Sequence, residues 1–199
     1  MQSDIKLSVF SAVIFALGAA LIRLGYDWGL TRLYSEPHKY GLWYLVSSFV
    51  IVLLLQDTYF YFIHRLFHCS WLFKWLHQGH HRSRIPTPWT SFAFDPSEAL
   101  VQTFFLVAIV FIVPLHFVTL GAVLMTMTFW AVVNHLGFEL FPRTFPCNWF
   151  SRWFIGPMHH LIHHRKYTVH YGLYFTFWDK LLNTHDPSYQ QEFNSSIKR

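Results

Sequence analysis

The chain has 199 residues, of which 53% are hydrophobic, 21% aromatic and only 13% charged. A soluble domain carries roughly 25% charged residues, so the composition favours an integral membrane protein. The net charge of +5 is spread thinly without a basic run, which excludes a nucleic-acid partner. Cys69 and Cys147 have neither disulfide nor metal spacing, and we expect reduced thiols. Without a repeat or a linker, residues 1–199 are expected to form a single membrane domain.

Three apolar stretches predict the membrane helices, at Leu7–Ile22, Leu42–Phe62 and Ala99–Val133. The first is short for a span and resembles a signal peptide, but Arg23 and the polar loop after it favour an uncleaved anchor. The third contains a proline near its middle, which predicts two helices with a hairpin tip at Pro114–His116. About 35 apolar residues are few for two crossings, so tilt or partial penetration is expected.

Three histidine clusters indicate a metal centre. They are HxxxH at His64 and His68, HxxHH at His77, His80 and His81, and HHLIHH at His159–His164. Helical spacing places residues i and i+4 on one face, so each cluster offers convergent nitrogens. Neutral imidazole suits iron, copper, nickel or zinc better than magnesium or calcium. Burial of so many imidazoles without a ligand would be costly.

A shared metal site constrains the topology. The chain between His81 and His159 must then cross the membrane an even number of times, and the predicted hairpin supplies two crossings. Basic residues accompany the clusters while the hairpin tip is uncharged, which predicts a cytoplasmic site. These basic residues are Arg65, Lys74, Arg82, Arg84, Arg143, Arg152, Arg165 and Lys166.

The topology also sorts the other histidines. His135 returns to the side of the clusters and is a candidate ligand, whereas His116 at the hairpin tip lies about 28 Å away along a helix and is not. His38 and His185 lie in polar, turn-like sequence and are expected at the surface. His159 stays ambiguous because it falls outside the HxxHH spacing.

Two acidic residues are candidates for outer support of the ligands. Asp57 lies two helical turns before His64, and Asp179 follows the third cluster. A carboxylate at either place would accept the second N–H of a ligand histidine. The alternative is that each simply marks the end of an apolar segment. Arginines beside the ligands are interpreted as solvated or facing lipid headgroups.

The number of imidazoles favours two metal ions, because a typical zinc site has three or four protein ligands. The sequence contains no HExxH, no glutamate within the clusters and no cysteine completing a structural zinc site, which argues against a zinc hydrolase. A two-iron centre that activates O2 towards an unactivated C–H bond fits better. Aromatic residues nearby would receive a lipid tail, namely Trp71, Phe73, Trp75 and Trp89.

Several motifs together resemble the fatty acid hydroxylase and sterol desaturase superfamily of membrane di-iron enzymes. They are HRLFH, HQGHH, HLIHH, NHLGFE, PTPWTSFAFDPSEALVQ and YGLYFTFWDKLLNT, and they run from about residue 50 to residue 184. The resemblance implies an all-α fold: an integral membrane bundle of about four transmembrane or hairpin helices under a cytoplasmic histidine-rich di-metal cap. It also implies O2 as co-substrate and electrons from a cytochrome b5, a ferredoxin or a reductase.

The resemblance also implies a ligand set. It consists of His64, His68, His77, His80, His81, His160, His163 and His164, with His135 matching a further histidine. Two departures are His170-Tyr171-Gly172, where members often have Asn-Tyr-Gly, and Asp95-Pro96 in place of His-Pro. His170 is therefore an extra ligand or a replacement hydrogen-bonding group. No catalytic residue is expected beyond the metal centre.

The resulting hypothesis is an O2-dependent oxidoreductase that hydroxylates or desaturates a lipid. The absence of a GxGxxG fingerprint predicts a separate electron donor. Two alternatives are a histidine-ligated membrane haem carrier and a histidine-rich metal transporter. The first would hold its ligands within facing membrane helices, and the second would place ionisable groups along the spans.

Overall fold

The computed structural model describes residues 1–196 and is built almost entirely from helices. The helices are α1 (Gln2–Asp27), α2 (Leu42–Phe67), α3 (Ser70–Leu76), α4 (Pro96–Ile112), α5 (Phe117–Asn134), α6 (Pro157–Lys166), α7 (Phe177–Leu181) and α8 (Tyr189–Ser196). Single 3-10 turns occur at His80–Arg82, Pro88–Phe92 and Ser151–Trp153. Two short strands complete the elements, β1 (Leu33–Tyr34) and β2 (Leu115–His116).

Three helices are long and apolar enough to cross a membrane, α1, α2 and α5, and α4 is a shorter apolar helix. At about 1.5 Å per residue, the 26 residues of α1 and of α2 extend about 39 Å. The 17 residues of α4 and the 18 of α5 extend only about 26 and 27 Å. The expected membrane bundle of about four helices is confirmed, and α1 extends beyond both ends predicted for it.

The hairpin between α4 and α5 turns where the proline predicted it. Its tip includes β2, which pairs in parallel with β1 from the α1–α2 connection. The N–H of Arg32 donates to the carbonyl of Val110 at 2.8 Å, so backbone groups next to the tip are satisfied. His116 accepts the N–H of Val118 at Nδ1 and caps α5. His116 thus has a structural role, far from the clusters.

The opposite end of the bundle carries the histidine clusters. The start of α1, the end of α2, the start of α4 and the end of α5 all meet there. Between the second and third histidine boxes the chain therefore leaves this end through α4 and returns to it through α5. The carboxylate of Asp4 accepts the hydroxyls of Ser83 at 2.7 Å and Thr90 at 3.2 Å, which ties α1 to the segment after the second box. The cytoplasmic orientation of this end remains a prediction.

The molecule has two apolar cores, one among the long helices and one between α6 and α8. The first lies between the membrane helices and the hairpin tip and contains Leu33, Val52, Ile109, Val110, Leu115 and Val123. The second packs α6 against α8 through Met158, Leu161, Ile162, Tyr189 and Phe193. α6 is therefore held by its apolar residues. Its His160, His163 and His164 face the ends of α2 and α5, whereas His159 stacks on Tyr189 of α8. The single-domain expectation for residues 1–199 stays a prediction.

Candidate metal centre

Nine histidines converge from four parts of the chain into two adjacent groups. The first group consists of His64, His68, His77, His81 and His163, and the second of His80, His135, His160 and His164. Within each group the potential ligand nitrogens lie within 4.8 Å of one another. All the histidines that the sequence nominated as ligands are present, and all except the partly exposed His68 are buried.

The orientation of the rings reveals which nitrogen faces inward. Four rings use Nδ1 to donate a proton to a backbone carbonyl: His64 to Tyr171, His135 to Ala131, His163 to Val169 and His164 to Ser83, at 2.7–3.0 Å. A neutral imidazole carries a single N–H, so a ring that donates from Nδ1 has a lone pair on Nε2. This is the tautomer that a metal ligand requires, with the second nitrogen held by an outer partner.

The Nε2 atoms face one another at short distances. They are 3.1 Å apart in His64–His77 and in His81–His163. In the second group they are 3.3 Å apart in His80–His135, 2.9 Å in His135–His160 and 3.1 Å in His160–His164. Metal–nitrogen bonds of about 2.0–2.1 Å place neighbouring ligand nitrogens about 3.0 Å apart in an octahedron and about 3.4 Å apart in a tetrahedron. Lone pairs this close repel unless a cation lies between them, so the donor set fits a metal ion in each group.

A carboxylate that the sequence analysis missed completes this shell. Glu98, on the first turn of α4, accepts a proton from His77 Nδ1 at 2.8 Å, and both side chains are almost fully buried. The pair makes the carboxylate–histidine arrangement that strengthens metal ligands. No glutamate lies within the histidine boxes, and α4 brings this one in from outside them. The available signal was an acidic residue opening an otherwise uncharged apolar helix.

Burial sets the protonation of the cap histidines. It lowers the pKa values of His77, His81 and His163 well below their ordinary value, and the neighbouring imidazoles lower them further. Burial, followed by the neighbouring imidazoles, also lowers the pKa values of His80, His160 and His164. These rings are therefore neutral at pH 7 and available as ligands without a proton to displace.

The family model for fatty acid hydroxylases matches residues 49–184. The chain belongs to the fatty acid hydroxylase family. The matched region agrees closely with the range of residues 50–184 expected from the motifs. It contains every histidine of the two groups and Glu98.

Curated relatives within this family act on sterols by name. The chain is 34% identical to human lathosterol oxidase over 156 residues, 75% of this chain and 50% of that protein. It is 29% identical to the Delta(7)-sterol 5(6)-desaturase ERG3B of Gibberella zeae over 185 residues, 93% of this chain and 56% of the relative. It is 30% identical to the Delta(7)-sterol 5(6)-desaturase erg3C of Aspergillus fumigatus over 177 residues, which are 79% of this chain and 54% of that relative. The chain thus spans about half the length of these relatives. No solved structure shows significant similarity to it.

The two predicted supporting aspartates act on a loop rather than directly on a ring. Asp57 Oδ1 accepts hydrogen bonds from the backbone N–H groups of residues 173–175, at 2.7–3.3 Å. Asp179 accepts the N–H groups of Tyr171 at 2.9 Å and of Gly172 at 3.0 Å. These bonds join both carboxylates to the backbone rather than to a ligand ring, and the support of the ligands by Asp57 and Asp179 stays a prediction. They hold the loop whose Tyr171 carbonyl accepts the proton of His64, because a buried loop must satisfy its own backbone groups.

The remaining cap histidines form a third group. His159, His170 and His185 have potential ligand atoms within 4.8 Å of one another. His159 and His170, the two unassigned residues, therefore lie together but outside the nine-histidine centre. His185, expected at the surface, is half-buried in this group, whereas His38 is exposed as expected. The positive φ of 57° at His170 turns its ring towards this group, a conformation that sequence patterns do not reveal.

Proposed function

We propose that the chain is an O2-dependent membrane oxidoreductase that hydroxylates or desaturates a C–H bond of a lipid at a di-iron centre. The observation that carries the proposal is the set of nine histidines whose Nε2 atoms face one another at 2.9–3.3 Å at one end of an apolar helical bundle. Iron is the metal proposed because imidazole binds it well and the reaction class needs a redox-active ion.

The proposed ligands divide as the two groups do. His64, His68, His77, His81 and His163 would hold one iron, and His80, His135, His160 and His164 the other. When bound, the two irons supply the activation of O2 that breaks an unactivated C–H bond. The residues around them hold the ligand rings in the required tautomer: Tyr171 through its carbonyl and Glu98 through its carboxylate.

The surroundings of the centre suit an apolar substrate. A narrow space beside the histidines is walled by Phe60, Phe94, Ala131 and Leu173. An apolar cavity of about 360 Å³ lies between α1, α4 and α5 and reaches Phe92, two residues from Phe94. A lipid would enter from the bilayer through this cavity and place one carbon beside the centre, with water excluded by the aromatic walls. The sterol specificity in the relatives' names makes a sterol-like lipid the first candidate.

The closeness of the histidines argues against a haem carrier. Axial haem ligands lie on opposite faces of a porphyrin, about 4 Å apart with the ring between them. Nitrogens 2.9–3.3 Å apart leave no room for that ring. A metal transporter would need ligands along the membrane path, whereas these lie at one end. Electrons would come from a separate cytochrome b5, ferredoxin or reductase.

Metal analysis of the detergent-purified protein tests the proposal. We expect about two irons per chain, and their loss together with turnover in His80→Ala. His38→Ala is the matched control, because this exposed histidine lies outside all three groups. Iron that stays at wild-type level in His80→Ala would refute the assigned ligands. Zinc retained without iron after growth in iron-rich medium would refute the oxidative chemistry.

A further inference from the structure

The third histidine group differs from the metal centre in the direction of its hydrogen bonds. The backbone N–H of Gly156 donates to His159 Nδ1 at 3.0 Å, and the N–H of Asp186 donates to His170 Nε2 at 3.3 Å. Each of these nitrogens therefore carries a lone pair, and the other nitrogen of each ring carries the proton. A metal at that second nitrogen would require an imidazolate. Two of the three rings thus present N–H donors, and the group does not fit a third metal ion.

The donor of His170 is left without a partner. His170 is 1% exposed, and its Nδ1 makes no hydrogen bond with any part of residues 1–196. A buried N–H without an acceptor destabilises the folded state. A buried donor without a partner indicates a site for a hydrogen-bond acceptor.

A cavity of about 400 Å³ opens directly onto this group. His159 and His185 form its inner wall, and Arg152 and Lys180 lie at its rim. Lys180 Nζ lies 4.3 Å from the centre of the Trp153 ring and donates to the carbonyl of Arg152 at 2.6 Å. Neither cation forms an ion pair with a carboxylate among the described residues.

The single acidic residue of the cavity wall is already neutralised. The carboxylate of Asp186 is bonded to the ammonium of Lys166 and to the N–H and hydroxyl of Ser188. The cavity thus retains two uncompensated positive charges beside the N–H of His159. This combination is complementary to an oxyanion.

We propose that this cavity binds a phosphate group, held by Arg152 and Lys180 at the rim and by the N–H of His159 within. The group is either a lipid headgroup or a free phosphate compound. Exposed aromatic and apolar residues lie within three positions of Arg152 or Lys180 in the chain, namely Trp149, Phe150, Phe177 and Leu181. Exposed tryptophan is typical of the membrane interface, at the depth of lipid phosphates.

In the first arm of the experiment, the metal-loaded full chain is titrated with inorganic phosphate. In the second arm, the chain is placed in lipid nanodiscs that contain phosphatidic acid or only phosphatidylcholine, and native mass spectrometry measures which lipid stays bound. We expect saturable phosphate binding or selective retention of phosphatidic acid, weakened at least about tenfold in Lys180→Gln and in Arg152→Gln. Lys74→Ala is the matched control, because Lys74 also lies over a tryptophan ring but outside the cavity.

The two arms separate the sources. Binding of phosphatidic acid alone assigns the cavity to a lipid headgroup, and binding of inorganic phosphate alone assigns it to a soluble ligand. Binding that is equal in Lys180→Gln, Arg152→Gln and Lys74→Ala would overturn the proposal, as would no binding in either arm. A third metal ion per chain that is lost in His170→Ala would also overturn it, because the group would then be a metal site.

Discussion

The nine-histidine centre and the third histidine group differ in the hydrogen bonds that their rings make with the surrounding protein. In the nine-histidine centre five rings donate from Nδ1 to a carbonyl or to Glu98, so their lone pairs face inward. In the group of His159, His170 and His185 two rings accept backbone N–H groups, so protons face inward. Clustered imidazoles therefore form both the proposed cation site and the proposed anion site. The backbone around each ring, rather than the number of histidines, decides which.

Helix α6 allows the sharpest attempt to break this comparison, because it carries both kinds of ring. His163→Ala removes a proposed ligand, and we expect loss of one or both irons and of all measurable turnover. His159→Ala, four residues earlier, should retain both irons. Elemental analysis and turnover in the same membrane preparation check the pair. Iron lost equally from both variants would mean that the nine-histidine centre and the third histidine group act as one site.

Substitution of Glu98 should have the next largest effect on metal binding, and it tests the residues that hydrogen-bond to the ligand histidines. Glu98→Ala removes the acceptor of His77 Nδ1 and should weaken metal affinity about 10–100-fold. Glu98→Gln keeps a neutral acceptor and should fall between this variant and the wild type. Competition with a chelator measures the affinity, and circular dichroism verifies the helix content. Unchanged affinity in Glu98→Ala would contradict the positioning role.

Substitution of Asp179 tests the loop of residues 170–172, which joins the third histidine group to the nine-histidine centre. Its carboxylate accepts the N–H groups of Tyr171 and Gly172 and the hydroxyl of Thr184, and burial raises the pKa of Asp179 to about 6. Asp179→Asn should cost about 1–3 kcal/mol of stability and lower metal affinity only a few-fold. Thermal unfolding and chelator competition check the two parts. A loss of metal as severe as in His163→Ala would show that the loop itself forms part of the centre.

Mild acid is the gentlest test. Burial lowers the pKa values of the cap histidines, so the folded chain binds fewer protons than the unfolded chain below an imidazole's ordinary pKa of about 6.5. Stability should therefore be constant from pH 8 to 7 and decline as the pH falls below 6.5, by at most about 1.4 kcal/mol per ring and pH unit. Protons also compete with the metal. Thermal unfolding and iron retention across this range check it; a protein that becomes more stable in acid would contradict it.

The sequence predicted those parts of the site that depend on local periodicity and on helix ends. The boxes at His64 and His160 follow helical spacing, and His135 followed from the topology of the α4–α5 hairpin. Glu98 was missed because its partner His77 lies 21 residues earlier in the chain. The group around His185 was missed because a loop with a left-handed residue, His170, brings it together. Tertiary approach of this kind leaves no periodic pattern.

The unequal length of the membrane helices has a consequence for the surrounding lipid. The hairpin of α4 and α5 extends only about 26–27 Å, against a hydrocarbon thickness of about 30 Å. Local thinning of the bilayer is one way to relieve a mismatch of this size, at a modest cost per ångström. Lipid headgroups next to the hairpin would then sit closer to the midplane, which shortens the distance that a substrate travels out of the leaflet. For the proposed lipid oxidoreductase, we therefore expect higher turnover in thin bilayers than in thick ones.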